Sequence, residues 1–408
     1  MAALILMLVL AQAAAPPADP EVVFWSARVE RDAADHISAT KLGYAYLKLA
    51  ANTGDFTSYR RAETAFGEAL TRSPGHATAL LGLAKARAAR HQFHEAIELA
   101  RKVAAAYPAD VDAYAIIGDA ALGAGDLAAA ETAYKEVAAR APGFVTDSRR
   151  ANLSHARGRS REAIALLRSA LEDATRRDLP VASRAWCHVM IGATLFELGQ
   201  WEAAEPEYLA ALKLAPDSFV AIEHLAELRS YQRRDHEAFA LYDRAIALAA
   251  HPDFFEAVAQ AHVRAGHQKD ADRWHARARD GYLAAAKAGD PGYYRRLAMF
   301  FVDVEARPDD AVAWARKDLA LRQDHAAWST LAWALLARND LAGARDANAR
   351  ALASGAEDAG MWFRAGVIEK TAGNPSAARN AFKRALEINP RFDRAGDATR
   401  LLVELNRR

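Results

Sequence analysis

The chain has 408 residues, with 53 lysines and arginines against 52 aspartates and glutamates, and a single cysteine. A net charge of +1 with no long like-charge run argues against nucleic-acid binding through counterion release. One thiol excludes an internal disulfide framework, and abundant alanine with 9% aromatics describes an ordered, helical protein.

In chain order, residues 1–15 come first, an apolar core followed by the small-x-small site Ala11-Gln12-Ala13. This pattern reads as a secretory signal too short to span a bilayer, so the expected location is outside the cytoplasm, in the periplasm. The alternative is an apolar helix docked on a cytoplasmic protein. Residues 16–35, with Val22, Val23, Phe24 and Trp25, are expected to form an N-terminal cap on the helical array that begins at residue 36. No other segment is apolar enough to cross a membrane.

From residue 36 a ladder of small residues sets the register: Ala62, Ala96, Ala130, Ala163, Ala204, Ala238, Ala271, Ala311, Ala344 and Ala378. The intervals are 34, 34, 33, 41, 34, 33, 40, 33 and 34. A period of 34 marks stacked helix–turn–helix units, none of which can bury its apolar face alone. The clearest unit runs from Val111 to Pro142, with Tyr114, Ile117, Gly118 and Ala121 on its first helix and Leu127, Ala130, Tyr134 and Val137 on its second. Ala185 to Pro216 repeats it with Ile191, Gly192, Leu195, Trp201, Ala204, Tyr208 and Ala211. Glycine supplies the turn and proline ends the second helix. Tyr134, Tyr208, Tyr242 and Phe382 are expected to fill the space between units, and Cys187 to lie buried as a small hydrophobe.

These units closely resemble the tetratricopeptide repeat family, in its exported bacterial form given the N-terminal segment. The resemblance covers about Ala34 to Pro390 and implies an all-α, right-handed α-solenoid of about ten units. The unit around Ala163 matches least, with Arg150 and Ser154 at positions expected to be apolar. The two long intervals place insertions at 171–180 and 281–291 and divide the array into blocks of about 36–178, 179–284 and 285–390. Residues 391–408 read as a C-terminal capping helix.

The resemblance implies a concave groove lined by the first helix of each unit. Its partner-binding residues would include Asp112, Asp119, Trp186, Phe196, Glu223, Glu227, Tyr231, Glu256, Trp333 and Phe363. Aromatic anchors among carboxylates suit a protein or peptide partner, favouring a basic one. The family's carboxylate clamp is absent: Asn152 holds one clamp position, but Ser148 and the following units supply no matching Lys and Arg. Asp318 stands where a small buried residue is usual, and Arg295 or Arg316 is expected to pair with it.

No catalytic motif, cofactor motif or metal motif emerges. His91 and His94 flank a turn and are expected to be exposed, and the segment lacks the cysteines of structural zinc sites. The expectation is a non-enzymatic scaffold of undetermined oligomeric state. His262, His267 and His275, all in the seventh unit, keep open an exported protein for a small ligand or divalent metal. A regulatory subunit of a separate enzyme is the third reading.

Overall fold

A computed structural model describes residues 19–407, so the proposed signal at 1–15 lies outside the described residues. Twenty-two α-helices and one short 3-10 turn make up the described residues, with no strand among them. The first, α1 (Pro20–Arg31), packs on its successor, joined through Glu21 and Lys48 at 2.8 Å. Ten antiparallel helix pairs come next. Unit 1 pairs α2 (His36–Thr53) with α3 (Phe56–Arg72), unit 2 α4 (Ala77–Ala89) with α5 (Phe93–Ala106), and unit 3 α6 (Val111–Ala124) with α7 (Leu127–Arg140). Unit 4 pairs α8 (Phe144–Ala156) with α9 (Ser160–Arg176), unit 5 α10 (Val181–Glu197) with α11 (Trp201–Leu214), and unit 6 α12 (Phe219–Tyr231) with α13 (Asp235–Leu248). Unit 7 comprises α14 (Pro252–Ala265) and α15 (Gln268–Lys287), and unit 8 α16 (Tyr294–Asp303) and α17 (Pro308–Leu319). Units 9 and 10 are α18 (His325–Ala337) with α19 (Leu341–Leu352), then α20 (Ala359–Thr371) with α21 (Pro375–Ile388). A last helix, α22 (Ala395–Asn406), covers α21.

Each rung of the alanine ladder is at most 1% exposed, because there the second helix of a unit meets the first at close range. At Gly118 a Cβ would lie 2.3 Å from the Tyr134 ring, so the ring and the absent side chain share one space. Tyr134, Tyr208, Tyr242 and Phe382 are all 2% exposed or less and fill the core between units. Cys187 is fully buried, and burial pushes its thiol up to about 12. The degenerate fourth unit still forms its pair, with Ser154 buried at 7%.

The long intervals are absorbed as helix rather than loop. In the first, α9 and α10 each run 17 residues and leave only 177–180 between them. In the second, α15 extends to 20 residues before the turn at Pro291–Tyr293. The C-terminal helix starts at Ala395 rather than at residue 391, because the Asn389 side chain accepts the Arg391 N–H at 2.8 Å and turns the chain. Asp318 pairs with neither Arg295 nor Arg316: Arg322, one turn on, donates to it at 2.5 and 2.8 Å. Four residues apart, the two charges pair across the buried end of α17 through Oδ1 of Asp318 alone.

The coil closes on itself. Gln323 N–H donates to the Ala124 carbonyl at 2.8 Å, Ser160 N–H to Glu357 at 3.2 Å, and Arg391 to Glu202 at 2.7 Å. Arg60 donates to the Ala288 carbonyl at 2.5 Å, and Arg322 approaches His91 at 3.4 Å. Each contact joins units five or six apart. Intra-unit turns of units 1–5 therefore sit on the inter-unit loops and helix ends of the next superhelical turn, along one continuous seam. At Gly158 the fit is closest: its backbone is left-handed, at φ +69°, and a Cβ would lie 2.0 Å from the Gly355 carbonyl oxygen. His91 belongs to this seam and is not exposed, and burial among the Arg322 and Arg295 charges holds its imidazole down to about 4. His94 is exposed. Where unit 1 meets unit 7 the seam opens into a cleft of about 430 Å³ lined by Asp55, Arg60, His251 and Tyr293.

Candidate functional site: the inner groove

A closed coil encloses its concave face, so the inner groove becomes a channel walled by the first helices of successive units. On α12, Glu223 and Glu227 lie one turn apart and face this channel. Neither carboxylate has a hydrogen bond or a lysine or arginine within salt-bridge distance among the described residues; the nearest cation-forming group is His224, 3.7 Å from Glu223. Burial pushes both carboxyls up to about 7, with the Asp253 charge adding to the effect on Glu223 and the two glutamates opposing each other. Glu223 keeps 19% side-chain exposure, so water reaches it although protein surrounds it.

The next units add charge of both signs. Asp253 on α14 accepts the Tyr282 hydroxyl at 2.9 Å and lies 3.4 Å from Arg296 on α16. This carboxylate holds the Arg296 guanidinium firmly charged. Glu256 accepts from Gln260 at 3.0 Å and sits 3.8 Å from His275. Further along, Trp333 donates its indole N–H to Asp303 at 2.9 Å. Glu223, Glu227, Glu256 and Trp333 thus line the channel with Asp253, Arg296 and Asp303. Sequence reasoning missed these last three. Asp253 held the signal, since it stands six residues before the small crossing residue Ala259, as Asp112 and Trp186 stand before theirs.

The other expected groove residues are engaged elsewhere. Asp112 is exposed and bonds Lys85 at 3.2 Å, while Asp119 accepts from Tyr134 at 2.9 Å and Arg149 at 3.0 Å, tying unit 3 to unit 4. Trp186 is half-buried, edge-on to Phe144 at 6.5 Å. Phe196 and Tyr231 meet edge-on at 5.2 Å beside Trp201, and the C-terminal segment overlies this cluster. Arg391 stacks on Trp201, and Asp393 reaches Arg264, itself 4.4 Å over Tyr231. Phe363 is a correction: at 3% exposure it is core, packed between Phe382 and Phe392. In the last unit no following pair stacks on α20, so the turn before α22 folds over that position instead.

No helix among the described residues is long and apolar enough to cross a membrane. Family models for the tetratricopeptide repeat match residues 57–117, 149–219 and 329–394. No curated protein matches the chain. Among solved structures, the APC/C Cut9–Hcn1 hetero-tetramer aligns at 13% identity and TM-score 0.39, over 94% of this chain and 92% of that one. Yeast Tom70 aligns at 12% identity and TM-score 0.42, over 94% and 91%. The MamA protein aligns at 20% identity and TM-score 0.33, over 43% of this chain and 94% of its own. With ten stacked helix pairs at a 34-residue period and three segments matched by the family's own models, the chain belongs to the tetratricopeptide repeat family.

Proposed function

We propose that this protein is a non-enzymatic scaffold that holds a basic segment of a protein partner in its inner channel, outside the cytoplasm. Tetratricopeptide arrays are protein–protein interaction scaffolds; the partner's chemistry, the site and the location are the proposed parts. The observation that carries the reading is the Glu223–Glu227 pair, two neighbouring carboxylates with no lysine or arginine at salt-bridge distance among the described residues, in a desolvated wall. A lysine or arginine placed between them would relieve their mutual repulsion and supply the missing hydrogen bonds.

Fluorescence anisotropy with Lys/Arg-rich and Asp/Glu-rich peptides tests this. The basic peptides are expected to bind, and Glu223→Gln/Glu227→Gln to weaken them about tenfold, near 1.4 kcal/mol, a modest share of a charge-assisted pair. Binding should also weaken below pH 7, as the carboxyls protonate. Equal affinity of both peptide classes for the native and the double-variant protein would refute the site. Export is tested separately: after cell fractionation, the mature chain is expected in the periplasm with Ala14 as its first residue. An intact Met1 on cytoplasmic protein would reject that part alone.

A further inference from the structure

We propose that the turn of unit 7 is a binding site for a divalent transition-metal ion, with His262, His267 and Asp270 as its ligands. One nitrogen of each imidazole and one oxygen of the carboxylate lie within 4.8 Å of one another, the one such three-residue group among the described residues. Bonds of about 2.0–2.2 Å to a central ion bring ligand atoms to roughly 3–3.5 Å apart, a contraction that side-chain rotation supplies. The site is on the side of the array that the seam does not cover, so an ion can enter from solvent. His275 is not part of it: that side chain faces Glu256 and Phe300.

The backbone is already shaped for the group. Gly266 closes α14 in the left-handed conformation at φ +81°, and His267 N–H donates to the His262 carbonyl at 2.9 Å. Asp270 N–H donates to the His267 carbonyl at 3.1 Å, which places all three side chains around one turn. The Phe239 ring stacks on His262 at 4.2 Å and on His267 at 6.4 Å, limiting both imidazoles. Independently, His262 Nδ1 is buried without a hydrogen-bond partner. A buried ring nitrogen without a partner is costly unless something binds it, and a metal ion is such a partner. Arg273 contacts Oδ1 of Asp270, leaving Oδ2 for the ion.

Two imidazoles and one carboxylate select the class. Such donors suit Zn²⁺, Co²⁺, Ni²⁺ or Cu²⁺, whereas Mg²⁺ and Ca²⁺ require oxygen cages. Three protein ligands leave coordination positions open to water.

Calorimetric titration of the metal-free full chain with ZnCl₂, with CoCl₂ absorption in parallel, tests the site. Saturable one-to-one zinc binding is expected, at least tenfold weaker in His262→Ala and in His267→Ala, weakened several-fold in Asp270→Asn, and unchanged in His36→Ala. Zinc should raise the melting temperature of the native chain but not of His262→Ala, whose helical circular dichroism checks folding. The inference is overturned if the native chain shows no saturable zinc binding. It fails equally if the histidine variants keep the native affinity, or if Mg²⁺ binds as tightly as Zn²⁺.

Discussion

Gly158→Ala should open the coil. An alanine there adopts a left-handed backbone, which costs about 1–2 kcal/mol, and drives its Cβ into the Gly355 carbonyl, 2.0 Å away across the seam. The Cβ has no rotamer freedom and the atoms it meets are backbone, so no side-chain movement relieves the clash. The neighbouring Ser160–Glu357 hydrogen bond is lost with the contact. Together these give a destabilisation of roughly 3 kcal/mol or more, at the upper end for a single substitution. Gly373→Ala is the control, because Gly373 shares the backbone at φ +78° but has nothing within 4 Å of its Cβ position. It should lose only about 1 kcal/mol. Urea unfolding of both variants measures the difference, and X-ray scattering should show a larger radius of gyration for Gly158→Ala alone. Two variants with equal stability and equal radius would mean that the seam contributes nothing in solution.

The second large effect comes from the channel carboxyls. Glu223 and Glu227 have an ordinary value of 4.5 in the unfolded chain and about 7 in the folded one. Between those values the folded protein binds protons that the unfolded chain releases. Stability therefore falls as pH rises from about 4.5 to 7, and levels off above. At pH 8 each ionised carboxyl costs roughly 3 kcal/mol, and less where water in the channel relieves it. The facing groups are Asp253 and Asp393, which oppose ionisation, and Arg296, His224 and Arg264, which favour it. The double variant Glu223→Gln/Glu227→Gln should be several kcal/mol more stable than the native chain at pH 8, and nearly equal to it at pH 4, below both values. Thermal unfolding across that range checks it, and parallel pH curves for the two proteins would show that the pair is fully solvated.

Local features were legible in the sequence because they are set by neighbours. The ladder from Ala62 to Ala378 identified all ten pairs, since a small residue is required wherever two helices of a unit cross. The core tyrosines came from the same register, and Cys187 from the apolar run around it. Asp318 was legible as an anomaly, but its partner was not: Arg322 lies beyond the helix end, and only the turn after α17 brings it back. Phe363 and the Phe196–Tyr231 cluster were read as open groove because the family register puts them there. The segment from Asn389 to Arg394 covers them, and its path depends on one side-chain-capped turn. The seam was not legible at all. It joins residues such as 189 to 231 positions apart, and their meeting depends on the summed twist of six units rather than on any local pattern.

That seam also restricts how the chain can change length. An open solenoid tolerates gain or loss of a repeat, because each unit touches only its neighbours. Here, removing one unit between Ala163 and Ala311 would slide every cross-coil contact by about 34 residues. Gly125, Gly158 and Gly199 would then face helix flanks in place of the loops that now receive them. The coil behaves as a ring with a fixed number of teeth, in which units can be substituted in place but not added or dropped singly.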